Sequence, residues 1–209
     1  MKKYILPLIL ILCLAFTLTG FAIDYTSQYP PAQNSTYVKA TTEYANNGYA
    51  YFATDPTKSL TGGWSNNSWF SESTHTTNQR FHIDLGEGKI IKRIYYENFH
   101  TTGTYPNRGA KNFTLWGSNT GAGTFDDLVY ANDGGWTELT VSQNYFDQHV
   151  DADQADPKYI TVTNSTAYRY YAFKFADNQG DATFMGVRRI ELQIEKEDGL
   201  NSIFFGMNF

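Results

Sequence analysis

The run Arg80-Phe81-His82-Ile83-Asp84-Leu85 alternates polar and apolar side chains, the pattern of a β-strand with one face in a protein core. Further runs rich in Tyr, Phe, Ile, Val and Thr occupy residues 90–99, 110–117, 159–163, 167–176 and 187–195. Clusters of Gly, Asn, Asp and Ser separate these runs, as turns require. Because long amphipathic helical patterns are missing, the sequence predicts an all-β fold, an antiparallel β-sandwich of the jelly-roll type.

The composition excludes several classes of protein. The 209 residues include 16 Tyr, 15 Phe and 4 Trp, an aromatic content that disordered chains lack. Cys13 is the single cysteine, so the chain can form neither an intrachain disulfide nor a cysteine-based zinc or iron–sulfur site. The net charge of −5 argues against nucleic-acid binding, which requires a basic surface. A folded domain is expected, held together by its core or by a bound metal.

The first 22 residues have the features of a secretory signal peptide. Lys2 and Lys3 precede an apolar run, and Gly20 and Ala22 supply the small residues expected before a cleavage site. Cleavage after Ala22 would give a secreted protein, extracellular or at the cell surface. The alternative is an uncleaved membrane anchor, because residues 4–23 match the roughly 20 residues that a membrane-spanning helix needs.

The rest of the chain is predicted to contain one domain. Residues 23–39 are an N-terminal segment that leads into the domain at residues 40–195, and no linker rich in Pro and Gly divides residues 34–195. Residues 196–209 form an apolar C-terminal tail, whose first four residues, 196–199, are mostly charged. The tail is expected either to pack on a sheet edge or to dock on another protein chain.

Several segments occur in an order that carries a family resemblance. They are Ala53-Thr54-Asp55 with Trp64 downstream, residues 80–86, 111–119 and 168–175, and Ile190-Glu191-Leu192-Gln193-Ile194. In this order they resemble the discoidin family, also called coagulation factor five/eight type C domains, and the similar family 32 carbohydrate-binding modules. Both share the galactose-binding-like jelly roll. The resemblance implies a module that recognises a glycan through loops at one end of the sandwich.

The resemblance also indicates which loops would bind the glycan. In such domains aromatic rings stack on the sugar, and polar side chains bond its hydroxyls. The candidate ligand-binding residues are Trp69, Phe70, His75, Tyr105, Arg108, Asn178 and Phe184. Arg108 matches the ligand arginine of sugar-binding members, while Asn178 and Phe184 fall in the last ligand loop. Trp64 and Trp116 are expected in the core, the commoner location of a single aromatic residue.

A structural calcium ion is a further implication of the resemblance. Its side-chain ligands would be Asp55, Thr61 and Glu191, all oxygen donors as calcium requires. Carbonyl groups near Phe52, Thr57 and Ile190 would complete the site. The alternative is that Asp55 caps the turn before Pro56 and that Glu191 faces water.

Catalytic motifs are missing from the sequence. It contains no Gly-x-Ser-x-Gly elbow, no His-Glu-x-x-His motif and no phosphate-binding loop, and its four histidines lack metal-binding spacing. The chain is therefore not expected to be an enzyme. The alternative to glycan binding is a protein-adhesion or assembly module that uses the same loops or the C-terminal tail.

Overall fold

The computed structural model describes residues 23–196, which contain ten β-strands and little helix. The strands are β1 (Tyr25–Gln28), β2 (Val38–Ala40), β3 (Trp69–Phe70), β4 (Gln79–Lys89), β5 (Arg93–Asn98), β6 (Phe113–Ser118), β7 (Thr137–Val141), β8 (Lys158–Thr163), β9 (Tyr168–Phe175) and β10 (Gly186–Glu195). Short helices span Ala50–Ala53, Pro106–Arg108 and Ala122–Asp126, the last being α1. None of the helices in residues 23–196 is long and apolar enough to cross a membrane. The predicted signal peptide and all but the first residue of the predicted tail lie outside the described residues.

The strands form the predicted antiparallel sandwich. Sheet one contains β1, β10, β5 and β8 with the short β3 on β10, and sheet two contains β2, β4, β9, β6 and β7. All these pairings are antiparallel. A short pairing of β7 with β8 continues one sheet into the other. The sheet therefore curls over a shared core, and the predicted all-β jelly-roll architecture is confirmed.

The core follows from the alternation within the strands. On β4, Phe81 and Ile83 are buried on the inner face, and they stand opposite Phe173 and Tyr171 of β9. Sheet one contributes buried residues such as Ile190 from β10. Burying a side chain of this size stabilises the fold by about 1.5–3 kcal/mol, so the rows of aromatic and branched residues hold the sheets together without a disulfide.

Several elements differ from the sequence prediction, among them β1, β4 and α1. β1 lies within the predicted lead-in, yet Tyr25 pairs with Glu195, so the sandwich extends before residue 40. The alternating run ends at Leu85, but β4 continues to Lys89 because an irregular register between Asp84 and Lys89 absorbs the extra residues. α1 forms where the sequence predicts no helix, and its buried Phe125 packs on the outer face of sheet two.

Four connections meet at one end of the sandwich. The Tyr44 amide donates to the Phe70 carbonyl (2.7 Å), and the Thr74 amide donates to the Thr183 carbonyl (2.7 Å). The Asp181 amide in turn donates to the Asn107 carbonyl (3.1 Å). These backbone bonds hold the loops around residues 44, 70, 107 and 183 next to one another.

Candidate functional site

A continuous aromatic surface lies at this loop end, formed by Tyr44, Trp64, Tyr105, Arg108 and Phe184; we call it the aromatic patch. The Tyr44 ring meets the Trp64 ring edge-on at 5.5 Å between centroids and the Phe184 ring at 6.0 Å. The Arg108 guanidinium lies 5.1 Å from the Phe184 centroid and 4.2 Å from that of Tyr105. The five side chains thus form one unbroken row, in which Tyr105 is 52% exposed and Tyr44 is 38% exposed.

Phe70 forms the buried base of the aromatic patch. Its ring lies 4.5 Å from Trp64 and 4.6 Å from Phe184, and it also stacks on Phe99. Phe70 is only 1% exposed, so the expectation that it offers its ring to a ligand is wrong. It holds the exposed rings in place from below.

Trp69 is fully buried, which also contradicts its expected place in a ligand loop. β3 pairs with β10, and this pairing turns Trp69 into the core, where it packs on Phe81 and Phe175. Its indole N–H donates to the Thr42 carbonyl at 3.0 Å, so its polar atom is satisfied inside the protein.

The Arg108 side chain is held in place by Asp181. The Arg108 Nε donates to Asp181 Oδ2 at 3.3 Å, and both side chains are partly exposed, at 21% and 12%. The other oxygen, Asp181 Oδ1, accepts from the Thr183 and Phe184 amides at 2.8 and 2.9 Å. Burial acts to raise the pKa of Asp181, but these amide donors and Arg108 outweigh it and hold the pKa below its usual value. Asp181 is therefore an ionised anchor for Arg108.

Tyr105 is presented by a strained backbone. Its φ of 57° lies in the left-handed region, which non-glycine residues seldom adopt. Pro106 follows at the start of a short helical turn, closed when the Arg108 amide donates to the Tyr105 carbonyl at 3.1 Å. This turn places Tyr105 and Arg108 side by side, as their cation–π distance shows.

Asn178 and His75 lie near the aromatic patch. Asn178 is buried, whereas His75 is exposed. Asn178 is 8% exposed, and its Nδ2 donates to the carbonyls of Asp181 and Phe184 at 2.8 and 2.7 Å. Its Oδ1 accepts from the Gly180 amide, so Asn178 shapes the loop that presents Phe184. His75 is exposed, on a turn joined to that loop through the backbone bond at Thr183.

Tyr44 and Trp64 belong to the aromatic patch although sequence reasoning missed the first and assigned the second to the core. Trp64 is half-buried, with one side against Phe70. Trp116 is also half-buried, and it packs against aromatic residues on the outer face of sheet two. The sequence around Tyr44 does indicate its exposure. Tyr44 precedes the turn-forming run Ala45-Asn46-Asn47-Gly48, and an aromatic residue beside such a turn is a candidate for exposure.

Each of the predicted calcium ligands has another hydrogen-bond partner within the protein. Asp55 Oδ1 accepts from the Thr57 amide and hydroxyl at 2.9 and 2.7 Å, the local turn that was the alternative prediction. Thr61 is exposed, and its amide donates to the Ser59 hydroxyl. Glu191 accepts from Ser27 and Arg189 instead of facing water. Across residues 23–196, no three His, Cys, Asp or Glu side chains form a group that could hold a metal ion.

Comparison with protein families gives one match. The DUF5000 family, described as a domain of unknown function, matches residues 58–192, which span the strands from β3 to most of β10. No curated protein matches the sequence.

Solved structures resemble this one in fold. The F5/8 type C domain of a Bacteroides fragilis protein superposes with a TM-score of 0.55 at 11% identity, covering 81% of this chain and 98% of that domain. CpGH89CBM32-5 from Clostridium perfringens, solved in complex with GalNAc-β-1,3-galactose, has a TM-score of 0.51 at 16% identity, covering 74% of this chain and 92% of that one.

A third structure, truncated AlyQ with CBM32 and alginate lyase domains, has a TM-score of 0.53 at 12% identity. The match covers 85% of this chain but only 35% of AlyQ, so this chain spans about a third of that protein. These likenesses confirm the fold predicted from the resemblance, the galactose-binding-like β-sandwich of discoidin and CBM32 domains.

Proposed function

The chain belongs to the DUF5000 family, and we propose that it is a non-catalytic module that binds carbohydrate on the aromatic patch. The supporting observation is the unbroken row of rings beside the Arg108 guanidinium. A sugar ring has apolar C–H faces and hydroxyl groups at its edge, which suit exposed aromatic rings next to fixed hydrogen-bond donors. The likeness in fold to CpGH89CBM32-5, which was solved with a disaccharide, is consistent with this proposal.

Arg108 would bond the sugar hydroxyls. Its Nε is held by Asp181, while its two Nη groups donate no hydrogen bond within residues 23–196. A guanidinium carries five N–H donors in a rigid plane, so four remain for a ligand. The Asp181 contact fixes that plane beside the Tyr105 ring, and less side-chain entropy is lost when a ligand binds.

Binding without catalysis fits the state of Asp181. A carboxylate that already accepts from two amides and from Arg108 is a weak base, because those donors stabilise its ionised form. Export directed by the predicted leader would bring the aromatic patch to glycans outside the cell.

A glycan array probed with the purified protein tests the proposal. Wild type should give signals above background, and Tyr105→Ala should weaken the affinity for the bound glycans at least about tenfold. Tyr105 is half exposed, so its loss should leave the thermal midpoint nearly unchanged. Tyr159→Ala is the matched control, because Tyr159 is 54% exposed but lies on β8 in sheet one.

Two results would overturn carbohydrate binding. One is a wild-type protein that gives no glycan signal at high concentration. The other is an equal loss of signal in Tyr105→Ala and Tyr159→Ala. If the array is blank while the aromatic patch captures another protein in a pull-down, and Tyr105→Ala abolishes that capture, the adhesion alternative replaces the proposal.

A further inference from the structure

Arg188 on β10 is fully buried inside a ring of backbone carbonyl groups. Its Nη2 donates to the carbonyls of Gly62 and His100 at 2.8 and 2.7 Å. Its Nη1 lies 3.3–3.5 Å from three more carbonyl oxygens, those of Ser59, Thr61 and Gly63. Five carbonyl groups from two loops therefore point at one guanidinium.

Arg188 behaves as an internal cation. Among residues 23–196 it forms no ion pair with a carboxylate, so the carbonyl dipoles are its direct partners. Burial lowers the pKa of Arg188 to about 10, which still leaves the group charged at neutral pH. Carbonyl oxygens are also typical calcium ligands, so this ring is chemically a cation site that a side chain fills.

The neighbouring Arg189 joins the same loop to Glu191. Its Nη2 donates to the Lys58 carbonyl at 2.7 Å, and its Nη1 donates to Glu191 Oε1 at 3.2 Å. The other oxygen of Glu191 accepts from the Ser27 hydroxyl at 2.5 Å. A carboxylate expected to bind calcium is thus bonded to an arginine that is 3% exposed.

Lys58 adds a third positive side chain to this region. The ammonium group of Lys58 lies 4.7 Å from the Phe52 ring, on the same loop that Arg188 and Arg189 hold. Three positive side chains thus contact residues 52–63. The two arginines bond the carbonyl oxygens of this loop, so a Ca²⁺ ion would have to displace a guanidinium group to reach them.

We propose that the guanidinium groups of Arg188 and Arg189 dock residues 58–63 on β10, the role that the resemblance gives to a structural calcium, so that the loop needs no metal ion. This loop leads directly to Trp64 of the aromatic patch. The Thr102 amide donates to the Gly62 carbonyl at 3.0 Å, so the same anchor holds the loop that leads to Tyr105. The stability of the loop does not depend on the proposed carbohydrate binding.

Thermal melting of the purified protein tests the replacement directly. The midpoint should be the same after treatment with EDTA and in millimolar CaCl₂, because a ligand that binds only the folded state must raise stability. A midpoint that CaCl₂ raises by more than about 3 °C over the chelated sample would overturn the proposal. A heat signal for calcium in a titration of the EDTA-treated protein would overturn it as well.

Substitutions of Arg188 test the source of the docking. Arg188→Met should lower the midpoint by more than about 5 °C, because the carbonyl groups lose their donor. Arg188→Lys retains the charge with fewer and differently placed donors, and it should fall between wild type and Arg188→Met. Arg93→Met is the control, since Arg93 lies on β5 in sheet one, stacked between the rings of Tyr25 and Tyr159.

Hydrogen exchange keeps the test decisive if Arg188→Met fails to fold. In Arg188→Lys the amides of residues 59–64 should exchange faster than in wild type, while those of β9 remain unchanged. Unchanged exchange in that loop, or an Arg188→Met midpoint within about 2 °C of wild type, would show that the guanidinium does not hold it.

Discussion

The aromatic patch and the outer face of sheet two both combine an arginine with aromatic rings, but only the first is open to solvent. On sheet two, residues 119–136 lie across β4 and β9 as a cover segment. Arg80 beneath it is fully buried, whereas Arg108 in the aromatic patch is 21% exposed. The cover segment turns one such surface into a second small core, whereas the aromatic patch stays exposed.

Polar bonds and ring contacts attach the cover segment to the sheet. The Arg80 Nε donates to the Val129 carbonyl at 2.9 Å, and Asp133 pairs with both Arg80 and Lys174. His82 lies 2.7 Å from the Phe125 carbonyl through its Nδ1 and contacts the Trp136 ring. Arginine and aromatic residues are thus not enough to indicate a binding surface, because the covering chain decides their exposure.

The largest expected effect comes from removing Asp133. Asp133→Ala leaves Arg80 buried without its carboxylate, and the free energy of unfolding should fall by about 3 kcal/mol, the low end for such a pair because the Asp133 side chain is 38% exposed. Urea denaturation measures the change. Asp126→Ala is the control, because its pair with Lys39 is more exposed and should contribute less than about 1 kcal/mol. Similar losses in the two variants would contradict a special role for the buried arginine.

Two tryptophan substitutions should separate the two surfaces. Trp136 is 9% exposed under the cover segment. Trp136→Ala should lower the free energy of unfolding by about 3 kcal/mol and should leave glycan binding intact. Trp64→Ala in the aromatic patch should instead weaken glycan binding with a smaller loss of stability. Urea denaturation and the glycan array measure the two effects. If Trp136→Ala abolished binding while still folded, the division between the surfaces would be wrong.

A smaller effect is expected from acid, through His82. Burial lowers the pKa of His82 from about 6.5 to about 4. Between these two pH values the ring stays neutral in the folded state, whereas in the unfolded chain it takes up a proton. The stabilisation that neutral His82 provides is fully present above about pH 6.5. It decreases as the pH drops towards 4, and at about pH 5 the free energy of unfolding is lower by about 2 kcal/mol. Urea denaturation across this range measures the loss.

His82→Gln isolates the contribution of His82, because burial lowers the pKa of His100 as well. The variant should lose the part of the pH dependence that belongs to His82 and keep the remainder. The exposed His75→Ala should retain the full dependence. A pH profile unchanged in His82→Gln would show that protonation of His82 does not destabilise the fold.

Most of the fold could be predicted from local sequence patterns. The alternation in residues 80–85 and 167–176 predicted β4 and β9, because a strand with one buried face must repeat every two residues. The short strands β1 and β3 carried too little pattern to be found. Each exists because β10 offers it a partner edge, and this depends on residues more than 100 positions away.

The candidate site could be predicted only in part from the sequence. Tyr105, Arg108 and Phe184 were expected to be ligand residues, and the structure brings them together. Trp64 and Trp69 lie in one segment, and their environments were predicted the wrong way round. The pairing of β3 with β10 buries Trp69, whereas Trp64 ends a loop that Arg188 holds at the surface.

The sequence by itself determined the class of fold, the aromatic core and the lack of an intrachain disulfide, because these follow from composition and from a two-residue period. Only the tertiary structure decided which rings remain exposed and that Arg188 and Arg189 bond the loop at residues 58–63. Both depend on long-range packing: the cover segment buries Arg80, and the carbonyl groups that surround Arg188 come from two loops far apart in sequence. No local pattern records either arrangement.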